Sequence, residues 1–151
     1  MRTGLVFLAA LLVAGPALGR DDDSAKELKK LEGVWIMVSG EKEGEKLADE
    51  VVKKNNITWK GKKIETISPH QSDEVIKATT KVDPAKSPKE MEWVRDSGPD
   101  SGKTMYAIYE WIDGDQYRVC FALGGKERPK EFATKAGSGH LLHVWKRVKT
   151  D

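Results

Sequence analysis

Two β-branched and aromatic runs meet at Asp113-Gly114-Asp115 in the stretch Lys103–Leu123, KTMYAIYEWIDGDQYRVCFAL. Gly after Asp supplies the positive φ that a tight hairpin needs, and the flanking Tyr, Ile, Trp, Val and Phe residues suit a pleated, half-buried surface. The stretch predicts two antiparallel strands. The chain around it offers more short strands. Gly33–Gly40 (GVWIMVSG), Asn56–Lys60, Lys62–Ser68, Glu74–Val82, Lys89–Arg95, a short run around Phe132 and His140–Lys149 are each bounded by Gly, Pro or charged turns. Ile64 and Ile67 break strict alternation, which predicts a bend or bulge closed by Pro69. Leu28 and Leu31, three apart, fit a short N-terminal helix plugging one end of the domain; Leu47, Val51 and Val52 fit a second short helix or a lid.

About eight strands joined by short turns, with no long helix, predict an all-β fold: an antiparallel up-and-down barrel closed on itself so that no edge is left open. An interior of that size either fills with side chains or holds one small ligand. The barrel is expected over residues 28–150. Arg20–Glu27 reads as a charged, disordered leader.

Arg2, the apolar run Leu5–Ala14, the break at Gly15-Pro16 and the small residues Ala17-Leu18-Gly19 have the plan of a secretory signal peptide over residues 1–19, cleaved after Gly19. The apolar core is short for a bilayer-spanning helix and charge follows it at once, which sets this reading above a retained anchor. The expected location is secreted or periplasmic, with no membrane attachment after cleavage. The formal net charge is +2 with 33% charged residues of mixed sign, and no basic surplus points to nucleic acid. One cysteine, Cys120, cannot close an internal disulfide. Between Val119 and Phe121 it reads as a buried core residue, with a reactive thiol or an intermolecular disulfide as the alternatives.

The order LEGVW, then KVDPAKSPKEMEW, then GKTMYAIYEWIDGDQYRVCFA, then RPKEFATKAGSGHLLHVWKR resembles a family of small secreted lipocalin-like (calycin-type) domains abundant in planctomycete bacteria, from about Leu28 to Lys149. Gly33-Val34-Trp35 is similar to the G-x-W signature of those barrels. The resemblance implies that Trp35 lies across the closed end with a basic residue of the last strand, Arg147 or Lys146, packed over its ring. It implies a fold and a compartment, and it brings no catalytic residues. Met105-Tyr106-Ala107 departs from the pattern by placing bulk where similar chains carry a smaller turn.

No catalytic motif stands out. Ser138 lies in a G-S-G turn that lacks the context of a nucleophile elbow. Asp21-Asp22-Asp23 is too small an oxygen set for calcium. His140 and His143 point to opposite faces of one strand and His70 lies in a loop, so no metal site is expected. His143 could ligate a haem, as a late-strand His does in some related barrels, but a hydrogen-bonded wall histidine is the favoured reading, and no cofactor is expected. Two parities are open for the hairpin: with Tyr109 and Trp111 inward, Glu110 is solvated; with Glu110 inward, it needs Arg118 or Arg128 as partner.

The first reading of function is a binding module for a small, partly apolar ligand. Trp93, Tyr109, Trp111, Tyr117, His143 and Trp145 are the candidate wall residues, with Arg118 or Arg128 as the polar anchor at the barrel mouth. The second is an interaction or inhibitor module of the cell envelope, with a filled core and an exposed apolar rim that meets an exported protein. An enzyme ranks third, because no pair of titratable groups converges.

Overall fold

The computed structural model describes residues 18–67, 74–123 and 125–151. The signal-peptide motif before Leu18, together with Pro69 and His70, lies outside the described residues. Helix α1 (Leu18–Leu31) leads into β1 (Gly33–Lys42) and the two-residue β2 (Glu45–Lys46); α2 (Asp49–Lys54) follows. Then come β3 (Asn56–Lys60), β4 (Lys63–Ile67), β5 (Val75–Asp83), β6 (Lys89–Arg95), β7 (Thr104–Asp113), β8 (Gln116–Ala122) and β9 (His140–Arg147).

Every neighbour pair is antiparallel, and β9 returns to pair with β1, closing an eight-stranded barrel from which β2 hangs as an extension of β1. Closure leaves the long strands without a free edge. The hairpin read from the sequence is β7–β8, in register from Ala107↔Phe121 to Asp113↔Gln116. A register shift between Trp111 and Asp113 bends it at the turn. The other shift lies between Met37 and Ser39, where β1 leaves β3 and continues against β9, with β2 joining its other edge at Glu41 and Lys42. The bend expected at Ile64–Ile67 is not there: β4 pairs residue by residue on both sides, with Ile64 and Thr66 inward. The short strand expected at Phe132 is irregular chain, because that segment crosses the outside of the barrel instead of extending its sheet. There Phe132 packs under the Arg118 guanidinium, 4.3 Å from ring centroid to Cζ.

Parity is set by the tryptophans. Trp35, Trp59, Trp93 and Trp145 are buried in the interior, and the residues two apart from them follow: Met37, Ile57, Met91, Arg95 and His143. The opposite face of β1 shows Val34, Ile36 and Val38 to solvent.

Residues 20–27 are helical, which corrects the expectation of a disordered leader. Asp21 sits in the first turn of α1 and Lys29 and Lys30 in the last, so the charges oppose the helix dipole favourably. Ser24 Oγ donates to the Val82 carbonyl, 2.9 Å away, and Leu28 and Leu31 are buried against the barrel floor. No helix among the described residues is long and apolar enough to cross a membrane.

Candidate functional site

The two ends of the barrel are built differently. At one end α1 meets the last residues of β5, the first of β6 and the turn end of β7. Glu27, buried in the floor, accepts hydrogen bonds on one carboxylate oxygen from Trp111 Nε1 at 2.7 Å, Lys89 Nζ at 2.8 Å and the Tyr109 hydroxyl at 3.2 Å. Burial pushes its carboxyl up, but the bonds from Lys89 and Trp111 outweigh burial and hold it below the ordinary carboxylate value. Burial, with Glu27 alongside, drives the Tyr109 hydroxyl far above its usual range, so it stays a neutral donor.

Trp35 lies across the same end. Its indole Nε1 donates to the Leu31 carbonyl at 2.8 Å, and the Arg147 guanidinium covers its ring at 4.2 Å. Arg147 also donates to the carbonyls of Glu32 and Lys30, 2.7 and 2.5 Å away, and so ties the end of β9 to the end of α1. Gly33, at φ 119°, lets β1 start beneath that guanidinium. Lys146, the alternative partner for Trp35, points to solvent.

An aromatic column runs from this floor toward the other end. Trp111 and Tyr117 flank Trp35, with Tyr117 edge-on at 4.9 Å. Trp59 Nε1 donates to the Tyr117 hydroxyl at 3.2 Å. Trp59 meets Trp93, Trp93 meets Phe121 at 4.5 Å, and Phe121, His143 and Trp145 continue the run. Such pairs add about 0.5–1.5 kcal/mol each beyond their area.

Above Trp93 the packing opens. A cavity of about 640 Å³ is lined by Trp93, Met105, Phe121, Leu141, His143 and Trp145, with Ile76 and Thr66 on the far wall and Lys42, Arg95, Asp100 and Lys103 among the charged groups. Most of these residues lie at the strand end away from α1, Ile76 on β5 against Val82, Arg95 on β6 against Lys89 and Leu141 on β9 against Arg147, while Trp145, opposite Tyr117, forms the lower wall next to the floor. The barrel is floored at one end and hollow at the other.

The candidate residues divide accordingly. Trp93, His143 and Trp145 line the cavity. Tyr109, Trp111 and Tyr117 belong to the floor, where they pack on Trp35 or bind Glu27, so their expected role as cavity wall is corrected. The two expected anchors are outside the barrel altogether. Arg118 pairs with Glu110 at 2.5 Å on the outer face, which resolves the parity of the hairpin: Tyr109 and Trp111 inward, Glu110 out. Arg128 reaches from the loop to the outside of β6 and β7. It donates to the carbonyls of Met91 and Ala107 at 2.9 and 2.6 Å and to Glu92 at 3.0 Å, over the Tyr106 ring. It is a clamp on the barrel wall.

The sequence reasoning missed Arg95, the charged group that does line the cavity, and Glu27, the carboxylate in the floor. Arg95 carried a signal: it keeps phase with Met91 and Trp93 in KEMEWVR, so a strand that buries Trp93 buries Arg95 too. Glu27 carried none beyond its place next to Leu28. Cys120 is buried, bonded weakly to the Ala133 carbonyl at 3.7 Å, and burial pushes its thiol up to about 11. No family model, no curated protein and no solved structure matches the chain.

Proposed function

We propose that this chain is an exported binding module that holds one small, partly apolar ligand in the open half of its barrel. The observation that carries the reading is the cavity itself. At about 640 Å³ it falls within the span of small-molecule sites, roughly 300–1,000 Å³, and it is apolar with a few polar groups. The closed end supports it, because the floor is already saturated with internal contacts and needs no partner. The order of motifs, Trp35 beneath Arg147 and the closed antiparallel barrel together support placing the chain with the lipocalin-like domains it resembles. The N-terminal motif supports export, with a mature chain beginning at Arg20.

Native mass spectrometry of the chain purified from its own exported fraction tests the reading. An added mass that is reproducible and lost on denaturation is expected, and Edman sequencing of the same sample is expected to start at Arg20. A bare mass in repeated preparations contradicts ligand binding. The docking alternative draws its support from the exposed stripe of Val34, Ile36 and Val38 on β1. It predicts that Ile36→Lys abolishes capture of an exported protein without touching any small-molecule adduct.

A further inference from the structure

Arg95 is 5% exposed and lines the cavity, yet its guanidinium is unfinished. Nε and Nη2 have no hydrogen-bond partner among the described residues. These two donors share one edge of the guanidinium and point the same way, the edge that takes both oxygens of a carboxylate at once. The carboxylate beside it, Glu74, has its nearest oxygen 3.7 Å from Nη2, beyond hydrogen-bond reach. Gly98, at φ 82°, lets the β6–β7 loop pass close to Nη2 and to the Glu74 carboxylate, where a Cβ would crowd both. The backbone is fixed where this side chain leaves it: Arg95 N donates to the Lys103 carbonyl at 3.0 Å, and Gly102 N donates to the Arg95 carbonyl at 2.8 Å.

Burying a charge without its hydrogen bonds weakens a fold, so stability does not explain this side chain. A ligand does. Three cations and one carboxylate line the cavity, and that carboxylate, Asp100, is already engaged by Lys103 at 2.7 Å. With Glu74 beside Arg95 counted as well, one positive charge is in surplus, and the local field favours an anion. Trp145 Nε1, which likewise has no hydrogen-bond partner among the described residues, belongs to the same lining. The rest of the wall is aromatic and aliphatic.

We propose that the ligand is an amphipathic carboxylate, its head group held by the paired Nε and Nη2 donors of Arg95 and its ring or chain packed among Trp93, Phe121 and Trp145. The proposal rests on the reading of the barrel as a binding module and adds the chemical class of what it binds.

Isothermal titration of the whole chain with two acids and their neutral counterparts tests it: 2-naphthoate against 2-naphthamide, and dodecanoate against 1-dodecanol. At least one acid is expected to bind about tenfold or more tighter than its neutral partner, the discrimination that a charged hydrogen-bonded pair supplies. Arg95→Gln is expected to erase that preference, Arg95→Lys to keep part of it, and Glu74→Gln to leave it intact or enlarge it. Thermal melts of each variant establish that it is folded.

If no acid and no neutral compound binds, the module reading fails and this proposal with it. If acid and neutral partner bind alike, the module stands and the carboxylate claim is overturned. An acid preference that survives in folded Arg95→Gln removes Arg95 from the site. 2-Naphthyl phosphate binding more tightly than 2-naphthoate would replace the carboxylate with a phosphoryl head and overturn the class named here.

Discussion

Replacing Glu27 by Ala should unhinge α1 from the barrel floor. Trp111, Lys89 and Tyr109 all donate to one oxygen of this carboxylate, and the side chain is 4% exposed. Removing it leaves an ammonium without its counter-charge and two aromatic donors without an acceptor. Breaking a buried pair from one side costs about 3–5 kcal/mol, and the partial exposure of Lys89 sets the expectation at the lower end, about 3 kcal/mol. Glu27→Gln keeps an oxygen for Trp111 and Tyr109 and gives up the charge, so about 1–2 kcal/mol is expected. Urea unfolding followed by tryptophan fluorescence reads both. With a slope of about 2 kcal/mol/M, the Ala variant's midpoint falls by about 1.5 M. The wild type also carries a pH signature. Its folded-state carboxyl titrates below the ordinary 4.5, so this contribution is complete above about pH 4.5 and drains away as pH falls through the lowered value. The Ala variant lacks that part of the acid slope. A loss under about 1 kcal/mol for Ala, or equal losses for Ala and Gln, would refute this account of the floor.

The remaining predictions use the same assays. Arg147→Met removes the cation over Trp35 and two carbonyl contacts and should cost about 2 kcal/mol, whereas Lys146→Met, on the solvent side, should stay within about 0.5 kcal/mol of wild type. Arg128→Met should lose about 1–3 kcal/mol of stability by urea unfolding, because it releases the Met91 and Ala107 carbonyls. Arg95→Met should instead leave the unliganded chain as stable as wild type or more stable, by up to about 4 kcal/mol. Cys120, buried and with its thiol pushed up to about 11, should react with Ellman's reagent at pH 8 only as fast as the chain unfolds.

The architecture was legible because each long strand carries its own alternation and each turn its own Gly, Pro or Asp. Asp113-Gly114 announced the central hairpin, and G-x-W marked the strand that starts at the floor. What the sequence left open was direction. Alternation says that Trp111 and Glu110 face opposite ways without saying which faces in, and only closure against β9 decides it. Arg118 and Arg128 drew attention as charged groups near aromatics, but both spend their donors outside the barrel, Arg118 on its cross-strand neighbour Glu110 and Arg128 on carbonyls of β6 and β7 far from it in sequence. Arg95 was overlooked for the converse reason: a lone Arg at a strand end looks solvated until the strand's parity is known. The leader looked disordered because three aspartates in a row have no apolar face. Its order comes from Glu27, Leu28 and Leu31 at its far end, where they meet the floor.

The five tryptophans allow the central claim, a floored end and a hollow end, to be tested in one spectrum. In an indole ¹H–¹⁵N correlation spectrum recorded while 2-naphthoate is added, the Trp93 and Trp145 signals should move and saturate together, and those of Trp35 and Trp111 should stay still. Shifts at Trp35 and Trp111 with none at Trp93 and Trp145 would place the ligand at the end assigned here to the floor and contradict the account.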